Sequence, residues 1–299
     1  MIDEVRQALA SVVAVPVTPF DEAGHVDEPA YGAVVERMVA AGVGVVTANG
    51  NTGEFYSLSA AELSRVVELT VREARGAVVV AGVGHDTARA VEMAREAAGL
   101  GAHAVMVHQP VHPYQTEDGW VAYHRAVADA VPGLGVVCYV RSPLVTARAI
   151  GRLAAACGNV TGVKYAVPDP PRLAELAGEL PGLVWVCGLA EGWAPFLWPA
   201  GARGFTSGLA VIAPELSLAL LARLRDGETA AAMELWRRLK PVEDLRARHS
   251  NGNNVSVLKE ALAQLGVCRR DVRPPISELP DAERAEVSAA LAGLRLDTT

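Results

Sequence analysis

Short apolar runs recur along the chain, each followed by a longer stretch whose apolar positions keep helical spacing. Eight runs rich in Val and Ala lie at residues 11–15, 43–48, 77–82, 103–108, 134–140, 160–166, 183–187 and 202–206. A strand covered on both faces reads as a continuous apolar run, and such strands belong to parallel sheets flanked by helices. Eight units of this kind over roughly 200 residues predict an α/β fold, a (β/α)8 TIM barrel rather than an open sheet. The helices carry their own signals. Tyr31, Val34, Val35, Met38 and Val39 form one buried stripe. Ser59 and Glu62 have capping-box spacing with Leu58 and Leu63 as a staple, and Asp86 and Thr146 are expected N-caps. After about residue 213 only helical patterns return, at 214–239, 255–265 and 281–294. The expected division is a barrel over residues 1–222 and a C-terminal helical extension over 223–299.

Composition narrows the class. Apolar residues make up 51% of the 299 positions and aromatics 5%, with 28 glycines and 18 prolines, which excludes disorder, collagen and coiled coil. The net charge of −7 gives no general attraction for nucleic acid or anionic lipid, so neither is an expected partner. No run of 18 apolar residues predicts a membrane span, and the start lacks the basic-then-apolar pattern of a secretory leader. Cys138, Cys157, Cys187 and Cys268 are scattered and form no paired motif. A cytoplasmic protein with reduced thiols is expected.

In such barrels, chemistry sits at the C-terminal strand ends. After the second run the chain reads Asn49-Gly50-Asn51-Thr52-Gly53-Glu54, a Gly-rich turn suited to cradling a carboxylate or phosphate, or else an ordinary strand-to-helix turn. The sixth run contains Lys164, the only lysine before residue 240. Burial favours the neutral amine that attacks a ketone, although a strand-end lysine also snorkels or pairs. Tyr139 ends the fifth run, where it either relays protons or packs in the barrel mouth, and Arg141 follows it as a candidate carboxylate partner. Ser207, one residue past the eighth run, joins the candidate substrate contacts. His103, His108 and His112 cluster near the fourth strand, but the odd separation of the first two aims them at opposite faces, so no metal site is expected.

Gly-Asn-Thr-Gly-Glu after the second strand, Tyr139 on the fifth and Gly-Val-Lys164 on the sixth resemble the dihydrodipicolinate synthase / N-acetylneuraminate lyase family. The likeness runs in order and spacing from Val15-Pro-Val-Thr-Pro-Phe20 to the helical extension. It implies a Schiff-base lyase without cofactor, in which Lys164 condenses with the C2 ketone of a 2-oxo acid. Tyr139 matches the proton-relaying tyrosine, and Thr52 matches a hydroxyl of the carboxylate-binding turn that also includes Gly50, Asn51 and Gly53. The resemblance implies a homo-oligomer, commonly a tetramer of paired dimers.

Three positions depart from the synthase pattern. Asn51 replaces the first threonine of the turn. His112 stands where the synthase offers a tyrosine across its dimer interface. Leu144 stands where it has an arginine. Gly-Glu-Phe-Tyr-Ser-Leu58 and the arginine two residues beyond Tyr139 instead resemble the 5-dehydro-4-deoxyglucarate dehydratase branch. The expected activity is therefore dehydration or aldol cleavage of a 2-oxo sugar acid. The alternatives are condensation of pyruvate with aspartate semialdehyde, and a catalytically silent barrel that binds a 2-oxo acid.

Overall fold

The computed structural model describes residues 1–294. All eight expected strands are present: β1 (Val12–Ala14), β2 (Val45–Ala48), β3 (Val78–Val83), β4 (Ala104–Val107), β5 (Gly135–Val140), β6 (Val160–Tyr165), β7 (Val184–Cys187) and β8 (Gly204–Ser207). They pair in parallel and in sequence order, and β8 returns to β1 to close the barrel. The barrel helices are α2 (Glu28–Ala40), α3 (Ala60–Glu73), α4 (Thr87–Gly99), α5 (Glu117–Ala130), α6 (Ala147–Ala156), α7 (Pro170–Glu179), α8 (Ala190–Leu197) and α9 (Pro214–Arg225), numbered after α1 (Ile2–Leu9).

Local signals act where the sequence places them. Ser59 and Glu62 close the capping box of α3, while Asp86 and Thr146 accept backbone amides at the starts of α4 and α6. Tyr31, Val34, Val35 and Met38 turn their stripe of α2 into the core.

Alternation along the strands divides the apolar side chains in two. Val45, Val80, Ala104, Met106, Val137, Tyr139 and Val186 point into the barrel, and a larger set packs outward under the helices. The helix α1, which the apolar pattern did not announce, lies across the strand starts. Its two buried residues, Val5 and Leu9, complete the interior cluster next to Gly135 and Gly162. The barrel is therefore stoppered at that end and open at the other.

The expected helix over 214–239 is two helices. Gly227, at φ 72°, turns the chain between α9 and α10 (Thr229–Asn251), a conformation without penalty for glycine. Beyond these, α11 (Asn254–Gln264) and α12 (Asp281–Leu294) complete the extension. A break at Arg248–Ser250 redirects the chain from α10 into α11, and α10 packs on α8 and α9. The extension thereby roofs one side of the open barrel mouth.

Candidate active site

A cavity of about 710 Å³ opens at the C-terminal strand ends. Lys164 and Tyr139 are directly opposed in the β5–β6 register and both point inward. The Lys164 Nζ lies 4.1 Å from the Tyr139 ring centroid. Lys164 is 5% exposed, and no carboxylate among the described residues pairs with it. Burial, reinforced by the positive charge of Arg141, pulls its ammonium down to about 7, so a large share of the amine is neutral near neutrality. Burial raises the Tyr139 phenol above its ordinary value, which keeps its proton on oxygen. Asn51 Nδ2 donates a long 3.5 Å bond to that hydroxyl.

The turn after β2 is a short 3-10 segment, Asn51–Gly53. Gly50 is obligatory on steric grounds, because a Cβ there would come within 2.3 Å of Val15 Cγ1. Gly53 backs onto the Pro16 carbonyl, and its own oxygen accepts from Thr18 at 2.8 Å. Asn51 and Thr52 thus face the cavity, while the two glycines shape the turn from behind. The turn is fixed from outside by Glu54, a left-handed residue at φ 60° whose carboxylate meets the buried Lys259 ammonium of α11 at 2.5 Å. Glu54 also accepts from the Arg273 amide at 2.9 Å, and both Lys259 and Arg273 stack over Phe20.

Arg141 reaches the cavity from the end of β5, with its guanidinium 6.0 Å from the Tyr139 ring and no carboxylate partner among the described residues. Two other candidates are not brought to the cavity. Ser207 lies on the outer face of β8. Its hydroxyl donates to Glu191 at 2.5 Å and accepts from the Ala210 amide, while its neighbour Thr206 faces the cavity. A one-residue step along a strand reverses the face, which is why a strand-end serine was the wrong member of the pair. His112 is exposed on the loop after β4, its ring folded against Tyr114.

The other histidines have structural partners. His108 is stacked 4.1 Å from Phe55 with its Nε2 2.9 Å from the Asn49 carbonyl, and burial drives its pKa down to about 3, so the ring is neutral. His103 accepts the Val79 amide through Nδ1. Among the described residues no cluster of His, Cys, Asp or Glu is placed to hold a metal ion.

Sequence reasoning missed the far wall. Glu243 and Arg246 of α10 line the cavity, joined at 2.5 Å, and Arg246 Nη2 donates to Asn254 Oδ1 at 2.8 Å. Gly208, just past β8, makes room for this arginine, since a Cβ there would sit 2.5 Å from Nη2. Charged residues on a surface-patterned helix gave no sign of their partners.

The model of the dihydrodipicolinate synthetase family matches residues 8–294. The chain belongs to this family. It is 37% identical to a Saccharopolyspora erythraea protein named "Probable 5-dehydro-4-deoxyglucarate dehydratase", over 94% of this chain and 93% of that one. It is 36% identical to a Hyphomonas neptunium protein named 4-hydroxy-tetrahydrodipicolinate synthase, over 94% and 97%. A crystal structure titled dihydrodipicolinate synthase from Bacillus clausii superposes with a TM-score of 0.94 at 38% identity, covering 98% of this chain and all of that one. Family membership makes this chain a class I lyase. Relatives named for two different reactions stand at nearly equal identity, so the choice between substrates rests on the cavity. No helix among the described residues is long and apolar enough to cross a membrane.

Proposed function

We propose that the chain dehydrates and decarboxylates a six-carbon 2-oxo sugar diacid of the 5-dehydro-4-deoxyglucarate type through a Schiff base on Lys164. The observation that carries this reading is the buried Lys164 amine, without a carboxylate partner among the described residues and held near neutrality against the Tyr139 ring. Numbered from the ketone end, the C1 carboxylate rests on the turn at Asn51 and Thr52. The neutral amine adds to C2, and the carbinolamine loses water to give an iminium. Removal of a C3 proton forms the enamine, which expels the C4 hydroxyl as water when Tyr139 supplies a proton. The C5–C6 bond then breaks. Its electron pair passes through the C3–C4 double bond into the iminium, and C6 leaves as carbon dioxide. Protonation at C4 converts the resulting C5 enol to an aldehyde as its hydroxyl proton is lost, and protonation at C3 restores the iminium. Hydrolysis then returns the amine and a 2-oxo acid bearing a C5 aldehyde. Among the described residues Arg141 lines the mouth with no carboxylate partner of its own, which suits it to the C6 carboxylate.

Synthase activity has the support of relatives carrying that name. Against it, Leu144 is 79% exposed and places no cation at the mouth, and Asn51 breaks the run of hydroxyls in the turn. We also propose a homo-oligomer. Gln109 ties the loop bearing His112 to the loop after β5, and these loops expose Val111, Tyr114 and Leu144 together, a face suited to a second copy. The deciding experiment incubates the protein with 2-oxo sugar diacids, measures carbon dioxide and product aldehyde, and reduces a parallel sample with borohydride. A mass increment on Lys164 with carbon dioxide release is expected. An unmodified Lys164 at saturating substrate overturns the Schiff-base reading, and turnover of pyruvate with aspartate semialdehyde instead selects the synthase.

A further inference from the structure

The cavity that holds Lys164 has a second polar wall, built by the C-terminal extension, that the reaction steps do not use. Arg141 stands at the end of β5, whereas Glu243 and Arg246 descend from α10 over β8, across the mouth. The side chains of this pair are 10% and 6% exposed, and the buried Arg246 Nε has no hydrogen-bond partner among the described residues. The pair is held by unusual backbone. Immediately after it, His249, Ser250 and Asn251 all adopt left-handed φ values between 52° and 71°. Such conformations are costly outside glycine and persist only where surroundings enforce them. Here α12 enforces them: Glu283 accepts from Asn253 at 2.6 Å and lies 3.3 Å from the His249 ring, while Arg248 pairs with Glu286. The effect is to bring Asn254, at the start of α11, against Arg246.

Charge decides what this wall accepts. Glu243 already neutralises Arg246, and Lys240 is paired with Asp244 on the same helix. A second carboxylate entering here meets the Glu243 charge in a poorly hydrated place, which is unfavourable. A hydroxyl meets the opposite situation, because it can donate to Glu243 and accept from Arg246 at once, each a charge-assisted bond. We propose that Glu243 and Arg246, supported by Asn254, form a hydroxyl-recognition subsite that selects polyhydroxylated 2-oxo acids over plain ones. The inference rests on the Schiff-base reading above and adds the class of substrate tail. The distal carboxylate goes to Arg141, and the C4 and C5 hydroxyls go to the neutral pair.

The test compares two six-carbon 2-oxo diacids that differ only in hydroxylation, 5-dehydro-4-deoxyglucarate and 2-oxoadipate. The concentration that half-saturates borohydride trapping on Lys164 is read for each by mass spectrometry. Wild type is expected to favour the hydroxylated acid, and Glu243→Gln to reduce that preference about tenfold, the scale of one lost charge-assisted bond. Because removing one partner strands a buried charge, a double variant, Glu243→Leu with Arg246→Met, removes both and is expected to abolish the preference. Circular dichroism and pyruvate trapping confirm that the variants are folded. An unchanged preference in folded variants overturns the subsite. Failure of wild type to trap any 2-oxo acid overturns the Schiff-base reading instead.

Discussion

Lys164 and Lys259 are both buried, at 5% and 0% exposure, yet their neighbours differ. The Lys259 ammonium meets the Glu54 carboxylate at 2.5 Å and donates to the Asp271 carbonyl at 2.6 Å. Burial lowers its pKa while Glu54 works in the opposite direction. Among the described residues no carboxylate pairs with Lys164: burial comes first, and the largest charge effect after it is the like charge of Arg141. Desolvation alone does not make a nucleophile. What separates the two is whether a carboxylate stabilises the ammonium, and the fold denies one to Lys164 while supplying one to Lys259. The two sites are also linked. Lys259 holds Glu54, and Glu54 ends the turn that presents Asn51 and Thr52 to the cavity.

The comparison breaks most sharply at Lys164 itself. Lys164→Ala is expected to cost at least roughly 10⁴-fold in turnover while leaving the protein folded, because no other unpaired lysine lines the cavity among the described residues. Lys240, the other lysine that lines it, is paired with Asp244. Steady-state assay together with intact-mass analysis after borohydride checks both halves. An adduct on Lys240 or Lys259 in that variant would show that the contrast drawn here is false. Next in size, Tyr139→Phe keeps the ring over Lys164 and deletes only the hydroxyl. A loss of about 10²- to 10⁴-fold in turnover is expected, with imine trapping retained. Equal loss of trapping would place the tyrosine in orienting the lysine rather than in moving protons.

Lys259 tests the other side. With both side chains of the Glu54–Lys259 pair at 0% exposure, Lys259→Met strands a buried carboxylate and is expected to destabilise the protein by about 3–5 kcal/mol. Adding Glu54→Gln should restore much of that stability. Chemical denaturation measures both. If Lys259→Met loses no stability, Lys259 is no counterpart to Lys164 but an incidental contact.

Much of this contrast could be read from sequence, and the part that could not has a physical cause. Lys164 stood out as a cation interrupting an apolar strand, whereas its position directly opposite Tyr139 follows from the β5–β6 register of the fold. The barrel itself was legible because each strand is a continuous apolar run. Lys259 was not legible. It sits in a helix whose pattern looks amphipathic, and its partner lies on the far side of the barrel in the chain. Glu243 and Arg246 were hidden for the same reason, since their significance arises from a helix folding over the mouth. Ser207 shows a finer limit: the strand ends at Ser207, one residue later than expected, and register parity decides which of two adjacent hydroxyls enters the cavity.

The smallest expected effect concerns the charge next to Lys164. Arg141 acts on the amine only after burial, and it is solvent-exposed, so its influence is screened. The neutral amine is the reactive form, so the trapping rate should rise with pH through about 7 and level off above it. Removing Arg141 removes a positive neighbour, stabilises the ammonium, and moves this limb upward toward that of an ordinary lysine. Arg141→Met should therefore trap more slowly at pH 6 than wild type and approach it at alkaline pH. For a substrate with a distal carboxylate, KM should rise up to about fivefold, the range of an exposed ion pair, and this increase should fade at high salt. Trapping of pyruvate, which has no distal carboxylate, should show the pH shift without that salt-sensitive loss of binding. If the limb stays in place, burial alone holds Lys164 near neutrality, and the difference from Lys259 reduces to the single missing carboxylate.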